Sequence, residues 1–306
     1  MNQPFHISGF KLSDLPIDNK VNRILSAALQ GHSIQKISRA DHQPIYWQAN
    51  YFALDQVSIF QTASGIEQQQ ILQRLNQELL TESLYIEQAG VGYMAKMVLM
   101  AESTQERMLY SLFAADEATH LAQLRPYVSN ESLQYPTDPF LQLLADVVDC
   151  PDKAVLLFVL QVVLEGWGLT HYRKLAKGCG EASLTDLFQG FLQAEARHHG
   201  AGVTLFNQMT LSKNSQSEIM ECLATFLQMV RVGPQRVVSA ISATKGHLSR
   251  SQRIQILQQL DTMSHSHQRL KLLQSLMAQT VGHIVDELDA KGLFIPLSPE
   301  EAASYG

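Results

Sequence analysis

Cysteine is scarce in this chain, and the few cysteines lie far apart. Cys150, Cys179 and Cys222 are the only three among 306 residues, and no Cys-x-x-Cys pair occurs. This odd, scattered set argues against a disulfide framework and against a thiolate metal site, so the sequence predicts a cytoplasmic protein. The first ten residues, MNQPFHISGF, lack the basic and apolar regions of a signal peptide, and secretion is not expected.

Charged residues and long apolar runs are also in short supply. Charged residues make up 17% of the chain, less than the roughly 25% usual in soluble domains. The longest apolar run, Ala154 to Leu164, is interrupted by Gln161 and is shorter than the roughly 20 residues that span a bilayer. The hydrophobic share of 45% suffices for a substantial core. Composition therefore excludes the collagenous, disordered and integral-membrane classes, and no membrane partner is expected.

Basic residues are concentrated in one segment of this acidic chain. The net charge is −6, yet residues 229–271 carry seven basic side chains and a single acid, Asp261. The basic residues are Arg231, Arg236, Lys245, Arg250, Arg253, Arg269 and Lys271. The segment indicates either solvated helix faces or a surface for an anionic partner, such as a phosphorylated or carrier-bound substrate, an acidic reductase or nucleic acid. It lacks the interleaved aromatic residues that base stacking requires.

Apolar residues recur with helical periodicity almost throughout, and no strand pattern is found. We therefore predict an all-α protein with one helical domain over residues 1–306. Its parts are N-terminal helices in 1–63, a helical-bundle core over 64–210 and a C-terminal helical extension over 211–306.

Capping and breaking residues set the expected helix boundaries. Ser64-x-x-Glu67 and Ser103-x-x-Glu106 are capping boxes that start two helices. Prolines make 126–151 a long connection with one short helix inside it. Helices are expected over 20–30, 46–62, 64–101, 103–125, 151–177 and 184–209, with three or four more between 215 and 290.

An internal repeat carries the most informative residues. Residues 87–120 align without a gap on 165–198, with eight of 34 positions identical. Each copy reads Glu-x-x-Gly, then a predicted turn, then Glu-x-x-His, and its two glutamates are 30 residues apart. The midpoints of these pairs fall at residues 102 and 180, beside the two turns. Each copy therefore predicts an antiparallel helical hairpin in which the first Glu lies level with the Glu-x-x-His pair.

These acidic and histidine side chains point to a metal site. Residues i and i+3 share a helix face, and the surrounding stripe is apolar, so four carboxylates and two imidazoles are expected to converge in a core. Buried carboxylates without counter-charge are prohibitively costly, so cations must neutralise them. Carboxylate oxygens combined with two histidines suit iron or manganese. The predicted ligands are Glu87, Glu117, His120, Glu165, Glu195 and His198.

This ligand pattern resembles that of the ferritin-like di-iron carboxylate proteins, over residues 65–209. The resemblance implies a ferritin-like four-helix bundle with a long crossover between helices 2 and 3, here the segment 126–151. It also implies two iron ions, with a manganese–iron pair as the alternative, and at least one of Glu117 and Glu195 bridging them. Glu82 and Glu78 are alternatives to Glu87 for the first-helix ligand, although Glu87 alone matches the internal repeat.

Several neighbouring residues could tune such a site. Tyr110 and Tyr172 are candidate catalytic residues beside the ligands, although filling the core is the simpler role for both. His171 and His199 are read as structural or as hydrogen-bonding neighbours of the ligands, and Asp116 as a partner of a liganding imidazole. Gly90 and Gly168 indicate close helix packing or room for dioxygen or substrate. Candidate pocket walls are Met94, Phe113, Trp167, Phe188 and Phe191.

The resemblance implies a dioxygen-activating oxygenase or oxidase with a small, largely apolar organic substrate. Iron storage is disfavoured because about a hundred residues follow the fourth helix. A rubrerythrin-type peroxidase is disfavoured because such proteins usually carry a Cys-rich electron-transfer domain, and this sequence contains none. Leu124 lies where ribonucleotide reductase small subunits carry the radical tyrosine, and Phe191 lies where di-iron N-oxygenases carry an extra histidine. Both of these activities are therefore disfavoured. An external electron donor and a homodimer are expected. The alternatives are a non-catalytic metal- or ligand-binding protein, or a di-iron hydroxylase of a nucleic-acid or carrier-bound substrate.

Overall fold

The computed structural model describes residues 7–16, 18–29, 44–129, 138–278 and 281–305. Every regular element in these ranges is helical, which confirms the all-α class. We label the main helices α1 to α11 in chain order. They span Lys20–Ala28, Gly65–Met100, Thr104–Leu124, Pro139–Asp149, Lys153–Gly178, Ala182–Phe206, Lys213–Arg231, Gln235–Lys245, Arg250–Gln259, Thr262–Ala278 and Gly282–Ala290.

The helix ends on either side of the two predicted turns lie where the internal repeat places them. Helix α2 ends at Met100 and α3 begins at Thr104, where the Ser103 hydroxyl accepts a hydrogen bond from the Glu106 backbone at 3.1 Å. In the second copy α5 ends at Gly178 and α6 begins at Ala182. Both copies of the repeat therefore form two helices joined by a short turn.

The other predicted boundaries hold closely up to residue 206, with one exception. The Ser64–Glu67 capping box is formed: the Glu67 carboxylate accepts from the Ser64 backbone at 2.8 Å, and the Ser64 hydroxyl accepts from the Glu67 backbone at 3.3 Å. The short helix inside the Pro-rich connection is α4, whose first turn is capped by Asp138. Part of that connection, 130–137, lies outside the described residues.

The predicted helix over 46–62 is wrong. The segment folds instead as three short turns of helix, Ala49–Phe52, Leu54–Gln56 and Ser58–Gln61. Ala53 adopts a left-handed conformation with φ of 54°, which no continuous right-handed helix can include. The apolar residues at 54, 57 and 60 are spaced by three, and this spacing serves 3₁₀ turns as well as an α-helix.

The C-terminal part has more helices than the three or four expected between 215 and 290. Five helices, α7 to α11, lie in the described part of 213–290, and a short turn of helix follows at Pro299–Ala302. The predicted breaks at Gly233 and Gly246 are confirmed, since both have positive φ. A further break at Asp261, with φ of 46°, separates α9 from α10 and was not anticipated.

Helix α5 is wound differently along its length. Its middle, Leu156–Glu165, is a π-helix, and the flanking Lys153–Val155 and Gly166–Gly178 are α-helical. The π segment is strongly apolar and mostly buried. Within the described residues α5 is also the one helix long and apolar enough to cross a membrane, yet 61% of that apolar window is buried inside the protein. Such burial is typical of a core helix.

Contacts between residues divide the chain into two compact units. Unit 1 comprises 1–42 and 77–153, and unit 2 comprises 43–76 and 154–306. The prediction of a single domain stays a prediction.

In unit 1, the N-terminal segment and the loop after α4 are tied to α2. The Gln88 side chain donates to the Gly9 carbonyl at 2.7 Å, and the Phe10 ring meets Tyr85 edge-on at 5.2 Å. The Lys96 ammonium donates to the Val148 carbonyl at 2.7 Å, near the carboxyl end of α4. These contacts tie the N-terminal segment and the carboxyl end of α4 to the helix that carries Glu87.

In unit 2, Trp47 anchors the N-terminal segment on the helices. Its backbone N–H donates to the Asn76 side chain at 2.8 Å, and its indole N–H donates to the Leu175 carbonyl at 2.9 Å. Its ring centre lies 6.1 Å from that of Phe188. A second part of the core joins the short turns to helices α8 and α9 through buried aliphatic residues. Its members include Leu54, Val57, Phe60, Ile71, Leu75, Val238, Ile241, Ile256 and Leu257.

Candidate metal centre

The first copy of the repeat brings three predicted ligands together in unit 1. Glu87 lies on α2, and Glu117 and His120 lie one turn apart on α3; all three are buried. One ligand atom from each lies within 4.8 Å of the others. His120 Nδ1 is 3.0 Å from Glu87 Oε2. We call this group half-site 1.

Gly90 is needed for the packing of half-site 1. A side chain at this position would collide with the carboxylate of Glu117. The glycine on α2 therefore leaves the space that the Glu117 carboxylate fills on α3. From the sequence, Gly90 could serve either close helix packing or free space, and the contact shows packing against a predicted ligand.

The second copy brings its three predicted ligands together in unit 2. Glu165 is the last residue of the π segment of α5, and Glu195 and His198 lie one turn apart on α6. One ligand atom from each lies within 4.8 Å of the others, and His198 Nδ1 is 3.7 Å from Glu195 Oε2. His198 is fully buried, Glu195 is buried and Glu165 is partly buried. We call this group half-site 2.

The π segment holds half-site 2 through Gln161. The Gln161 side chain donates to the His198 carbonyl at 3.1 Å, and the Gln161 carbonyl lies 2.9 Å from His199 Nδ1. Gly202 on α6 makes this close approach feasible, because a side chain there would collide with Gln161. π-helical turns are rare and are often found at functional sites. Here the turn brings Glu165 to the same level as Glu195 and His198.

The chemistry of each half-site fits a divalent cation. Two carboxylates and one neutral imidazole carry a charge of −2, which one divalent ion balances. Buried carboxylates are otherwise strongly disfavoured. His120 Nδ1 and Glu87 Oε2, at 3.0 Å, are within hydrogen-bond distance, so these two predicted ligands are in direct contact. A buried Glu/His group that could hold a metal ion is thus present.

The alternative first-helix ligands lie outside half-site 1. Glu82 and Glu78 are only partly buried, and neither belongs to a Glu/His group within ligand distance in the described chain. Glu87 is almost fully buried and contacts His120 directly. The geometry therefore favours Glu87, the residue that matches the internal repeat.

Both candidate catalytic tyrosines are buried among aromatic rings. Tyr110 meets Phe113 edge-on at 5.9 Å in unit 1. Tyr172 stacks on Phe188 at 5.7 Å and meets Phe191 edge-on at 5.5 Å in unit 2. These contacts fit a core-filling role, and a catalytic role for either tyrosine stays a prediction.

The remaining predicted neighbours lie in different surroundings. Asp116 is partly buried, and its role as a partner of an imidazole stays a prediction. His171 lies beside Tyr172, with ring centres 5.7 Å apart. Gly168 differs from Gly90, since a side chain at 168 would meet no atom within 4 Å in the described structure. Near half-site 2 this second glycine thus provides space.

The predicted pocket walls belong to the interior. Met94, Phe113, Phe188 and Phe191 are buried, and the Trp167 ring meets Phe226 edge-on at 5.1 Å. A cavity of about 260 Å³ in unit 2 is lined by none of them. Its lining residues are Ser58, Ile59, Thr62, Gln252, Gln255, Ile256 and Gln259. The substrate pocket stays a prediction.

Sequence reasoning missed Gln161 as a residue of the candidate centre. In the sequence, Gln161 only interrupts the apolar run from Ala154 to Leu164. That interruption was the available signal, because a polar side chain at a fully buried position needs hydrogen-bond partners. No pattern in the sequence announced the π-helical winding around it.

Comparisons with protein-family models, with curated proteins and with solved structures gave no significant match to this chain.

Proposed function

We propose that the protein holds two iron ions, one at half-site 1 and one at half-site 2, and that it is a dioxygen-activating oxygenase or oxidase. In this proposal α2, α3, α5 and α6 are the four helices of a ferritin-like bundle. A manganese–iron pair is the alternative metal content. The observation that carries the proposal is the duplicate set of two carboxylates and one histidine, buried or nearly so, in matching positions of a repeat.

Charge balance supports two metals rather than one. The six predicted ligands include four carboxylates, so a single divalent ion would leave a net charge of −2 in the protein interior. Such uncompensated charge is costly, and two divalent ions remove it. Glu117 and Glu195 would each offer two carboxylate oxygens to the metal they hold.

The chain's own residues would position and shield the centre. His120 and His198 supply nitrogen donors, and the bond from Gln161 to the backbone of His198 fixes one of them. Buried apolar and aromatic side chains keep bulk water away from both half-sites. Bound iron would supply the redox chemistry that activates dioxygen, which protein side chains alone cannot provide.

The substrate class is proposed from the side chains around the ligands. Phe113 lies one turn before Glu117, and Phe191 one turn before Glu195; both are buried. Apolar surroundings of this kind favour a small organic substrate with a largely apolar reacting part. We further propose an external electron donor, a homodimer and a cytoplasmic location. An anionic partner at residues 229–271 is also part of the proposal.

The proposal is tested by metal loading followed by exposure to oxygen. Metal-free protein is incubated anaerobically with Fe(II), desalted, and its iron measured by plasma mass spectrometry. We expect two iron ions per chain, and oxygen consumption when air and a reductant are added. Iron binding without oxygen consumption would favour the non-catalytic metal-binding alternative.

A pair of double variants shows whether the predicted ligands hold the metal. Glu117→Ala with Glu195→Ala removes one carboxylate from each half-site and should abolish iron binding. Glu221→Ala with Glu287→Ala removes two exposed carboxylates and should bind iron as the wild type does. Normal iron content in the first double variant would show that these residues are not the ligands.

A further inference from the structure

His198 and His199 are consecutive on α6, and their rings have different partners. His198 belongs to half-site 2, whereas the His199 ring reaches the backbone of α5. His199 Nδ1 lies 2.9 Å from the Gln161 carbonyl oxygen. A carbonyl only accepts hydrogen bonds, so the hydrogen lies on Nδ1 and His199 donates it. His199 therefore binds the π segment, Leu156–Glu165, without being one of the predicted ligands.

Gly166 leaves the space in which the His199 ring lies. A Cβ at position 166 would lie 2.9 Å from Cε1 and 3.1 Å from Nδ1 of His199, which is tighter than ordinary van der Waals contact. Glycine disfavours a helix interior, yet one follows Glu165 directly. The approach of His199 to the π segment thus has its own glycine, as the approach of Gln161 to α6 has Gly202.

Helix α6 holds Gln161 by both its side chain and its backbone. The side-chain amide donates to the His198 carbonyl at 3.1 Å, and the backbone carbonyl accepts from His199. Gln161 precedes Glu165 by four residues, about one turn of helix. A π turn contains more residues than an α turn, so its winding changes the direction of the side chains after it relative to those before it. The direction of Glu165 therefore depends on the turn that Gln161 and His199 hold.

The first copy of the internal repeat, all of which the structure describes, has neither this contact nor a π segment. Helix α2 is α-helical over its whole length, including Glu87, the equivalent of Glu165. At the same offset of 78 residues, Ser83, Gln88, Leu121 and Leu124 stand where the second copy has Gln161, Gly166, His199 and Gly202. The Ser83 hydroxyl donates within its own helix, to the Leu79 carbonyl at 3.0 Å. The π winding and the His199 contact thus occur together in one copy only.

We propose that His199 is a positioning residue of half-site 2. Its hydrogen bond to the Gln161 carbonyl holds the π turn, and the π turn directs the Glu165 carboxylate towards Glu195 and His198. For the metal, this inference rests on the proposed function, whereas the winding of α5 is a property of the metal-free chain. The two half-sites are therefore unequal, because half-site 2 depends on a side chain beyond its ligands that half-site 1 does without.

Two substitutions at position 199 separate the hydrogen bond from the rest of the ring. His199→Leu introduces the residue type of the first copy and removes the donor. His199→Asn keeps an N–H donor, because the Asn amide nitrogen is as many bonds from Cα as Nδ1 of histidine. His267→Leu, at an exposed position of α10, is the control. In crystal structures of the metal-free variants, we expect His199→Leu to lose the π winding of Leu156–Glu165 and the other two to keep it.

An anaerobic Fe(II) titration of the full chain gives a second readout. His199→Leu should weaken binding at one of the two sites by about 10–100-fold, the usual loss when a contact that orients a ligand is removed, and leave the other site unchanged. His199→Asn and His267→Leu should bind both ions as the wild type does. Adding Glu117→Ala to His199→Leu should then weaken the unaffected site, which identifies it as half-site 1.

A His199→Leu protein that keeps the π segment, or that loses it with no change in iron affinity, would overturn the inference. Loss of the π segment in His199→Asn as well would also overturn it, because the volume of the ring rather than its hydrogen bond would then hold the turn. A wild type that binds no iron would refute the proposed function, and the winding of α5 in the metal-free variants would still decide whether His199 holds the π turn.

Discussion

Substitution of Gly90 by alanine should weaken metal binding at half-site 1, because it displaces the carboxylate of Glu117. An added Cβ at this position would collide with Oε2 and Cδ of Glu117, one of the three residues of half-site 1. The carboxylate is the mobile end of a flexible side chain, so it can move away. A displaced carboxylate no longer occupies its position relative to Glu87 and His120. We therefore expect Gly90→Ala to weaken binding of the first metal ion by about 10–100-fold, the size of effect seen when ligand-orienting contacts are removed.

The internal repeat provides a matched control for this substitution. Gly168 is the equivalent glycine, and a Cβ there meets nothing within 4 Å. Alanine is favoured over glycine in a helix interior by about 0.8–1 kcal/mol, so Gly168→Ala should stabilise the protein by about that amount and leave metal binding unchanged. In Gly90→Ala the same gain is offset by a crowding cost of about 1–3 kcal/mol.

The assay combines denaturant unfolding of the metal-free protein with an anaerobic Fe(II) titration. Gly90→Ala should be less stable than Gly168→Ala by about 1–3 kcal/mol, and it alone should lose iron affinity. Equal stability and equal iron affinity in the two variants would refute the reasoning, because Glu117 would then not depend on the space beside Gly90.

Two further predictions concern packing and pH. Gly202→Ala should be less stable than Gly200→Ala by about 1–3 kcal/mol in chemical unfolding, because its Cβ would collide with the buried Gln161. Gly200 is at an open position on the same helix, so its variant is the matched control. Lys245 and hydrogen bonds from Ser64 lower the pKa of Glu67 to about 2, so this carboxylate stabilises the fold above pH 4.5 and the contribution is lost as the pH falls towards 2. Lys245→Met should raise that pKa towards 4.5 in an NMR titration; an unchanged midpoint would show that the lysine is not its main partner.

The helices around the candidate centre could be predicted because local signals and the repeat agreed. Ser103 and the glycines at 178 and 180 mark the turns, and the spacing of Glu and His residues is preserved between the copies. The pairing of Glu87 with His120 followed from this symmetry, since residues equidistant from a turn lie level in a hairpin. Within each copy, the predicted ligands lie together in the structure.

The remaining features depend on contacts that a single sequence does not reveal. The segment 46–62 has helical spacing, but the hydrogen bond from Trp47 to Asn76 and the left-handed Ala53 impose short turns instead. The π winding of Leu156–Glu165 has no sequence signature, because it depends on how α5 packs on α6 through Gly202.

The central claim is that this chain holds two metal ions, one at each half-site. The most direct test is a crystal structure of the Fe(II)-loaded protein with anomalous scattering recorded at the iron edge. The account predicts two anomalous peaks, one beside Glu87, Glu117 and His120 and one beside the matching residues of the second copy. The absence of a peak at both positions would contradict it.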